Sequence, residues 1–386
     1  MEPRLNTALY GVKPSAIREF SRLAAQTPEC VRLTLGEPDF DTPEPVRAAA
    51  CAALEAGETH YIENSGAPAL REKIAAFERE KNGMDYGADE VIVTAGATEA
   101  LFAALFGVLN PGEEVIVPTP AFVLYERIIT LCRGVFVPLD TAPDGFQLNA
   151  GRLEALVTPR TKAIVLNSPN NPTGCVYGPG SLEAARAVAE RHGLFVICDD
   201  VYRQLCYGRD YHSFAEYRAL RGQIIVAQSF SKPWAMTGWR MGYLLADRPV
   251  CERLALLHQF MVTSTPAPFQ RACVAALDQD PRGMRETYRR RRDLALERLH
   301  AMGLPVVEPE GAFYAFPSIA RFGMDSTAFC TRLLKEGGVA VTPGAAFGAD
   351  DHIRLSFCCG EETLREGLDR LRRFIRTLEG GCANDL

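Results

Sequence analysis

Residues 91–109 read VIVTAGATEALFAALFGVL. The apolar, β-branched run Val91–Thr94 ends at Ala95-Gly96, and a helical stretch rich in alanine and leucine follows from Thr98 to Leu109. Four β-branched residues without polar–apolar alternation predict a strand buried on both faces. A helix directly after such a strand is the unit from which parallel sheets are built. The pattern repeats outward. Strand-like runs are expected at Glu114–Val117, Lys162–Leu166, Leu194–Cys198, Ile224–Ala227 and Met241–Leu245. A helix is expected over Ser181–His192, with Ser181 as its N-cap and Glu183 in its first turn. The fold class implied is α/β, with helices on both faces of a mostly parallel central sheet.

The C-terminal part has a different grammar. A charged helix is expected over Pro281–Met302, and its cluster Arg289–Arg292 reads as a solvated face. Strand-like pieces follow at Ala312–Phe316, Val339–Val341 and Ile353–Phe357, separated by helices, which suggests a smaller α+β domain. There is no fixed-period repeat and no low-complexity linker.

Composition narrows the function. The 386 residues are 47% apolar and 23% charged, which excludes a disordered chain. A net charge of −6 argues against a nucleic-acid or membrane-surface partner and favours small-molecule substrates. The N-terminal stretch MEPRLNTALYGVKPSAIREF carries charges and prolines where a signal peptide needs an apolar run, and no apolar run approaches a membrane span. A cytoplasmic protein is the expectation. The 12 cysteines form no C-x-x-C pair and no zinc-ligand spacing, so buried, reduced cysteines are expected and no metal.

In open parallel sheets, ligands bind beyond the carboxyl ends of the strands. The residues that follow each apolar run are therefore informative. They are Gly96-Ala97-Thr98, then Phe122, then Asn167 to Gly174, then Asp199, Asp200 and Tyr202, then Ser229, Ser231, Lys232 and Arg240. Together they supply an amine, a carboxylate, a phenol, an amide, hydroxyls and a guanidinium. Such a set suits pyridoxal phosphate, which needs a lysine for its aldehyde, an acid beside its ring nitrogen and a cup for its phosphate.

The motifs LGEPDF (35–40), TAGATEAL (94–101), NSPNNPTG (167–174), DDVY (199–202), SFSKPWAMTGWRMGY (229–243), EGAFYAFP (310–317) and IRLSF (353–357) occur in this order over almost the whole chain. In them the chain resembles the fold-type-I, class I/II aminotransferases, with closest resemblance to bacterial aminotransferase A and aspartate/aromatic-type enzymes. The resemblance implies a large PLP-binding domain over 50–280, a small domain from 15–49 with 281–386, and an N-terminal arm at 1–14. It implies Lys232 as the Schiff-base lysine and Asp199 as the partner of the pyridine nitrogen. Alternation along a strand lets only one of Asp199 and Asp200 face the ring. The family's Asp-Glu-x-Tyr stands here as Asp-Asp-Val-Tyr.

By the same resemblance, Tyr202 and Asn171 hold the phenolic oxygen, and Phe122 stacks on the ring where the family commonly has tyrosine. Gly96, Ala97 and Thr98 with Ser229 and Arg240 cup the phosphate, at a helix N-terminus suited to an anion. Tyr61 reaches the phosphate of a neighbouring subunit, which implies a homodimer. Arg354 clamps the substrate α-carboxylate as a guanidinium fork, with Gly36 and Asn171 beside it. Tyr10, Phe313 and Tyr314 are either pocket or core.

The reaction implied is a ping-pong transfer of an α-amino group from an L-amino acid to a 2-oxo acid, 2-oxoglutarate by family expectation. Aspartate, aromatic residues, alanine and N-acetyl-diaminopimelate are the open donors. Thr98 stands where some aspartate-active relatives carry a lysine, which weakens aspartate. A C–S β-lyase on the same fold is the alternative. A regulator with a fused DNA-binding domain is disfavoured, because the resemblance begins near residue 10. Dehydrogenase and NTPase readings fail on motif, since Gly178 to Glu183 begins like G-x-G-x-x-G but ends in Glu.

Overall fold

The computed structural model describes residues 5–12, 16–208 and 211–380. Parts of the expected N-terminal arm (1–4 and 13–14) and residues 381–386, including Cys382, lie outside the described residues.

The strands are β1 (Val31–Arg32), β2 (Val91–Thr94), β3 (Glu114–Thr119), β4 (Val135–Asp140), β5 (Thr161–Asn167), β6 (Phe195–Asp199), β7 (Ile224–Ser229), β8 (Gly242–Ala246), β9 (Tyr314–Ala315), β10 (Val339–Ala340), β11 (Thr342–Pro343) and β12 (Ile353–Ser356). Seven of them form the central sheet in the order β2-β8-β7-β6-β5-β3-β4. The β4, β3, β5, β6 and β7 pairings are parallel, and β8 alone runs antiparallel, against both β2 and β7. The smaller sheets are the parallel pair β1-β10 and the antiparallel set β11-β12-β9.

Strand alternation divides the sheet's side chains between two cores. Val91, Val93, Ile164, Leu166, Val196, Cys198, Ile224 and Val226 pack on one face against the helices Pro68–Asn82 and Pro179–His192. Ile92, Val115, Val117, Ala163, Val165, Ile197, Ile225 and Ala227 pack on the other, against Ala97–Val108, Leu124–Leu131 and Arg248–Val262. Both faces are covered, so the strands read as continuous apolar runs. A third core joins β9, β10 and β12 to the helices Arg282–Ala301 and Glu361–Leu378, and it also takes in Val201, Tyr202, Leu205 and Tyr207 from the segment after β6.

Three local expectations are corrected. The Pro179–His192 helix starts earlier than expected. Gly178 is its N-cap and Pro179 fills the first turn, where a missing N–H costs nothing. Ser181 is therefore inside the helix, where its hydroxyl donates to Gln147 and accepts from the Leu148 amide. The arginine cluster is not a uniform solvated face. Arg289 and Arg290 are exposed, but Arg291 is buried, ion-paired with Asp39 at 2.7 Å, and Arg292 covers the Tyr207 ring. Seven described cysteines are buried, whereas Cys51 is exposed and Cys30, Cys206 and Cys359 are half-buried. No described helix is long and apolar enough to cross a membrane.

Candidate active site

The segments that leave the carboxyl ends of β2, β5, β6 and β7 converge on a cavity of about 290 Å³. Gly36, Ala97, Thr98, Phe122, Asn171, Asp199, Tyr202, Ser229, Lys232, Arg240 and Arg354 line it, so eleven sequence-predicted residues meet there. Gly96 is the N-cap of the helix whose first residues, Ala97 and Thr98, line it. Tyr61 does not reach the cavity of its own chain and is 88% exposed. Tyr314 joins the lining, Phe313 is core, and Tyr10 is neither, being 62% exposed on the surface.

Lys232 leaves the end of β7 on a short loop. Its Nζ donates to the Gly36 carbonyl at 2.6 Å and stands 5.7 Å from the centre of the Phe313 ring. Burial strips water from the ammonium and lowers its pKa from 10.5 to about 8, and Arg240 and Arg354 push the same way. Gly36 must be glycine here, since a Cβ would lie 1.8 Å from the Tyr314 hydroxyl oxygen.

Asp199 ends β6 on the face of Ile197, toward the cavity. Burial raises its pKa from 3.8 to about 6, although Tyr125 donates to its Oδ2 at 2.6 Å and Lys232 is near. Asp200 points to the opposite face, where it accepts from Ser213 and neighbours Arg203. Alternation thus settles which acid faces the site. Tyr125 is a site residue that sequence reasoning missed. It lies three residues after Phe122, on a helix whose buried stripe with Ile128 and Ile129 reads as plain core.

The place expected to hold an anion is the start of the Ala97–Val108 helix, whose first-turn amides have no carbonyl within the helix to bond. Gly96 adopts φ +78°, and a Cβ there would come within 2.6 Å of Arg240 Nη2, so the backbone leaves a concave opening beside the guanidinium. Arg240 itself holds the left-handed conformation, φ 53°, rare for a non-glycine residue. The Ser229 hydroxyl accepts from the Ser231 amide at 3.0 Å on the far side.

Arg354 is 2% exposed. Its Nη1 donates to Asn171 Oδ1 at 2.9 Å and its Nη2 to the Thr34 carbonyl at 2.7 Å, while the rings of Tyr314 and Phe347 flank the guanidinium at 4.5 and 4.9 Å. Its buried Nε has no partner among the described residues, and burial lowers its pKa. With Oδ1 engaged, the NH2 of Asn171 is the group it can turn to the cavity. The hydroxyls of Tyr202 and Tyr314 lie 2.9 Å apart, and Phe122 sits edge-on to Tyr125.

A buried lysine of lowered pKa, a buried carboxylate, a helix N-terminus beside a guanidinium and an orphaned guanidinium nitrogen form the donor set that pyridoxal phosphate with an amino-acid substrate requires. The residues present fit that group.

The family model for aminotransferases of class I and II matches residues 28–371. The chain is 42% identical to the probable N-acetyl-LL-diaminopimelate aminotransferase of Bacillus subtilis (strain 168), over 97% of this chain and 96% of that protein. It is 40% identical to the aspartate/prephenate aminotransferase of Thermus thermophilus, over 96% and 98%. The solved structure of the aspartate aminotransferase from Thermus thermophilus with maleate is similar at a TM-score of 0.92 and 39% identity, over 97% of this chain and all of that one.

Proposed function

Because the chain belongs to the aminotransferases of class I and II, an enzyme family that works with pyridoxal 5'-phosphate, we propose that it moves the α-amino group in two half-reactions at this one cavity, the first 2-oxo acid leaving before the second binds. The acceptor in this reading is 2-oxoglutarate. The donor in this reading is drawn from N-acetyl-diaminopimelate, aspartate and the aromatic amino acids, three classes that stand among the relatives' names beside arginine and prephenate. The observation that carries the reading is the meeting of Lys232, Asp199 and Arg354, from three distant segments, in the lining of one cavity.

Bound pyridoxal phosphate supplies an aldehyde that takes up the amine and a ring that accepts the electron pair left at Cα. The chain's own residues do the rest. Near pH 8 about half of the Lys232 amine is neutral, so Nζ can act as nucleophile and then carry a proton from and to the substrate Cα. Asp199, held by Tyr125, keeps a proton on the pyridine nitrogen. Tyr202 and Asn171 hold the phenolic oxygen, and Phe122 covers the ring face. Gly96, Ala97, Thr98, Ser229 and Arg240 hold the phosphate. Arg354, with Gly36 and Asn171 beside it, takes the α-carboxylate and fixes which bond at Cα faces Lys232.

A homodimer completes the site in this reading, with Tyr61 reaching the phosphate of the neighbouring subunit. Its exposure supports this, as do Phe260 at 85% and Leu256 at 50% on a helix tied to the same loop by the bond from Asn64 to the Ala255 carbonyl. The test is the visible spectrum of the purified protein after addition of single amino acids without an oxo acid. Conversion of the cofactor band to that of the amine form identifies the donor. A band that converts only with release of pyruvate and ammonia sinks the transfer reading in favour of the lyase.

A further inference from the structure

We propose that His258 is the buried counter-charge that lets Glu99 stand at the mouth of the phosphate-holding helix, and hence a positioning residue for the cofactor phosphate. This deepens the cofactor reading above and rests on it.

Glu99 lies in the first turn of the Ala97–Val108 helix and is 8% exposed. Its Oε2 accepts from the Ala95 amide, and its Oε1 lies 2.6 Å from His258 Nδ1. A carboxylate alone favours a helix N-terminus. Here the same terminus is the one assigned to a phosphate, and two anions sharing it repel one another in a water-poor setting. Glu99 is therefore a liability for phosphate binding unless its charge is cancelled.

His258 supplies the cancellation, and hydrogen-bond chemistry fixes the proton count. The residue is 1% exposed on the Arg248–Val262 helix, and its Nε2 lies 2.9 Å from the Asn64 carbonyl. A carbonyl only accepts, so Nε2 carries a hydrogen. The contact between Nδ1 and Oε1 needs one more proton, on either atom. The pair is then imidazolium with carboxylate or imidazole with carboxylic acid, and in both forms its net charge is zero. The same ring ties the loop that carries Tyr61 and Asn64 to the helix that holds the phosphate, and Asn64 Nδ2 fastens that loop to the Ala255 carbonyl at 2.8 Å. One imidazole thus sets both the charge and the register of the cup's outer edge.

The test uses the full chain freed of cofactor and titrated with pyridoxal phosphate or with pyridoxal, which lacks the phosphate. His258→Gln is expected to lose about tenfold in affinity for pyridoxal phosphate and almost none for pyridoxal. The double variant Glu99→Gln with His258→Gln is expected to recover that loss, and Glu99→Gln alone to hold the wild-type affinity or exceed it. An equal loss for both ligands in His258→Gln, or no recovery in the double variant, overturns the proposal. If His258→Gln does not fold, a phosphate-selective loss in Glu99→Gln overturns it and retained affinity there supports it. A wild-type chain that binds the two ligands alike overturns the cofactor reading itself, an outcome distinct from failure of the His258 assignment.

Discussion

The Tyr125 hydroxyl donates to Asp199 Oδ2 at 2.6 Å, across 74 positions of sequence and inside the core that covers one face of the sheet. It is the side-chain hydrogen bond that stabilises the charged form of a carboxyl otherwise pushed toward neutrality by burial. The acid assigned to the ring nitrogen is thereby held in place from behind.

Removing that hydroxyl should be felt mainly when Asp199 is ionised. Tyr125→Phe in the cofactor-free chain is expected to cost about 1–3 kcal/mol of stability at pH 8 and less at pH 5, where the carboxyl is largely protonated. Urea unfolding at the two pH values measures this. An equal cost at both would mean that only packing was lost.

Asp199 itself sets a pH window. Its folded pKa, raised to about 6 from 3.8, means that the native chain holds a proton between those values that the unfolded chain has released. Stability from this group is full below about pH 4 and is lost as pH rises through 6, a change on the order of 3 kcal/mol. Asp199→Asn cannot titrate. The cofactor-free variant should therefore gain on wild type as pH climbs from 4 to 6 and keep that lead above it.

Lys232 should react as a buried amine does. Its pKa, lowered to about 8, predicts that borohydride fixation of pyridoxal phosphate on this residue rises to half its plateau near pH 8 rather than near 10.5. Lys232→Ala should show neither fixation nor transamination. Turnover surviving in that variant would remove the lysine from the mechanism.

Arg354 is held as a fork by Asn171 and Thr34, between two rings. Lysine keeps the charge but neither the fork nor the stacking surface. Arg354→Lys is expected to raise the KM for the amino acid by about 100-fold with a smaller change in kcat, measured in the single half-reaction. Loss confined to kcat would point away from ground-state carboxylate binding.

Arg203 lies behind Asp199 on the other face of the sheet, donating to Glu78 and flanked by Asp200 and Tyr243. Its side chain and that of Glu78 are essentially without solvent. Arg203→Ala leaves two buried carboxyls without their cation, and a loss of about 3–5 kcal/mol is expected in urea unfolding.

Much of this was legible in the residues alone, for physical reasons. Runs such as Lys162–Leu166 betray two-sided burial, and the alternation that separates Val196 and Cys198 from Ile197 also separates Asp200 from Asp199. The loop from Ser229 to Arg240 is a local motif, so its chemistry reads from one stretch. What stayed hidden depends on distant partners. Tyr125 shares the spacing of its core neighbours, and nothing local tells that its oxygen meets an acid. His258 and Glu99 are 159 positions apart. Arg291 lies in a charged run, and only the fold brings Asp39 to it. The direction of β8 was equally silent, because an apolar run has the same pattern whichever way it points.

The third core borrows Val201, Tyr202, Leu205 and Tyr207 from between two strands of the central sheet. A crossover that exchanged the C-terminal part of this chain for that of a cousin would therefore cut through the packing of its own core, because those four residues, with Phe20 and Leu33 from the N-terminal segment, would remain on the other side of the splice. The two parts are not interchangeable cassettes. Chimeras should survive only when the segment after β6 and the stretch bearing Phe20 and Leu33 travel with the C-terminal part.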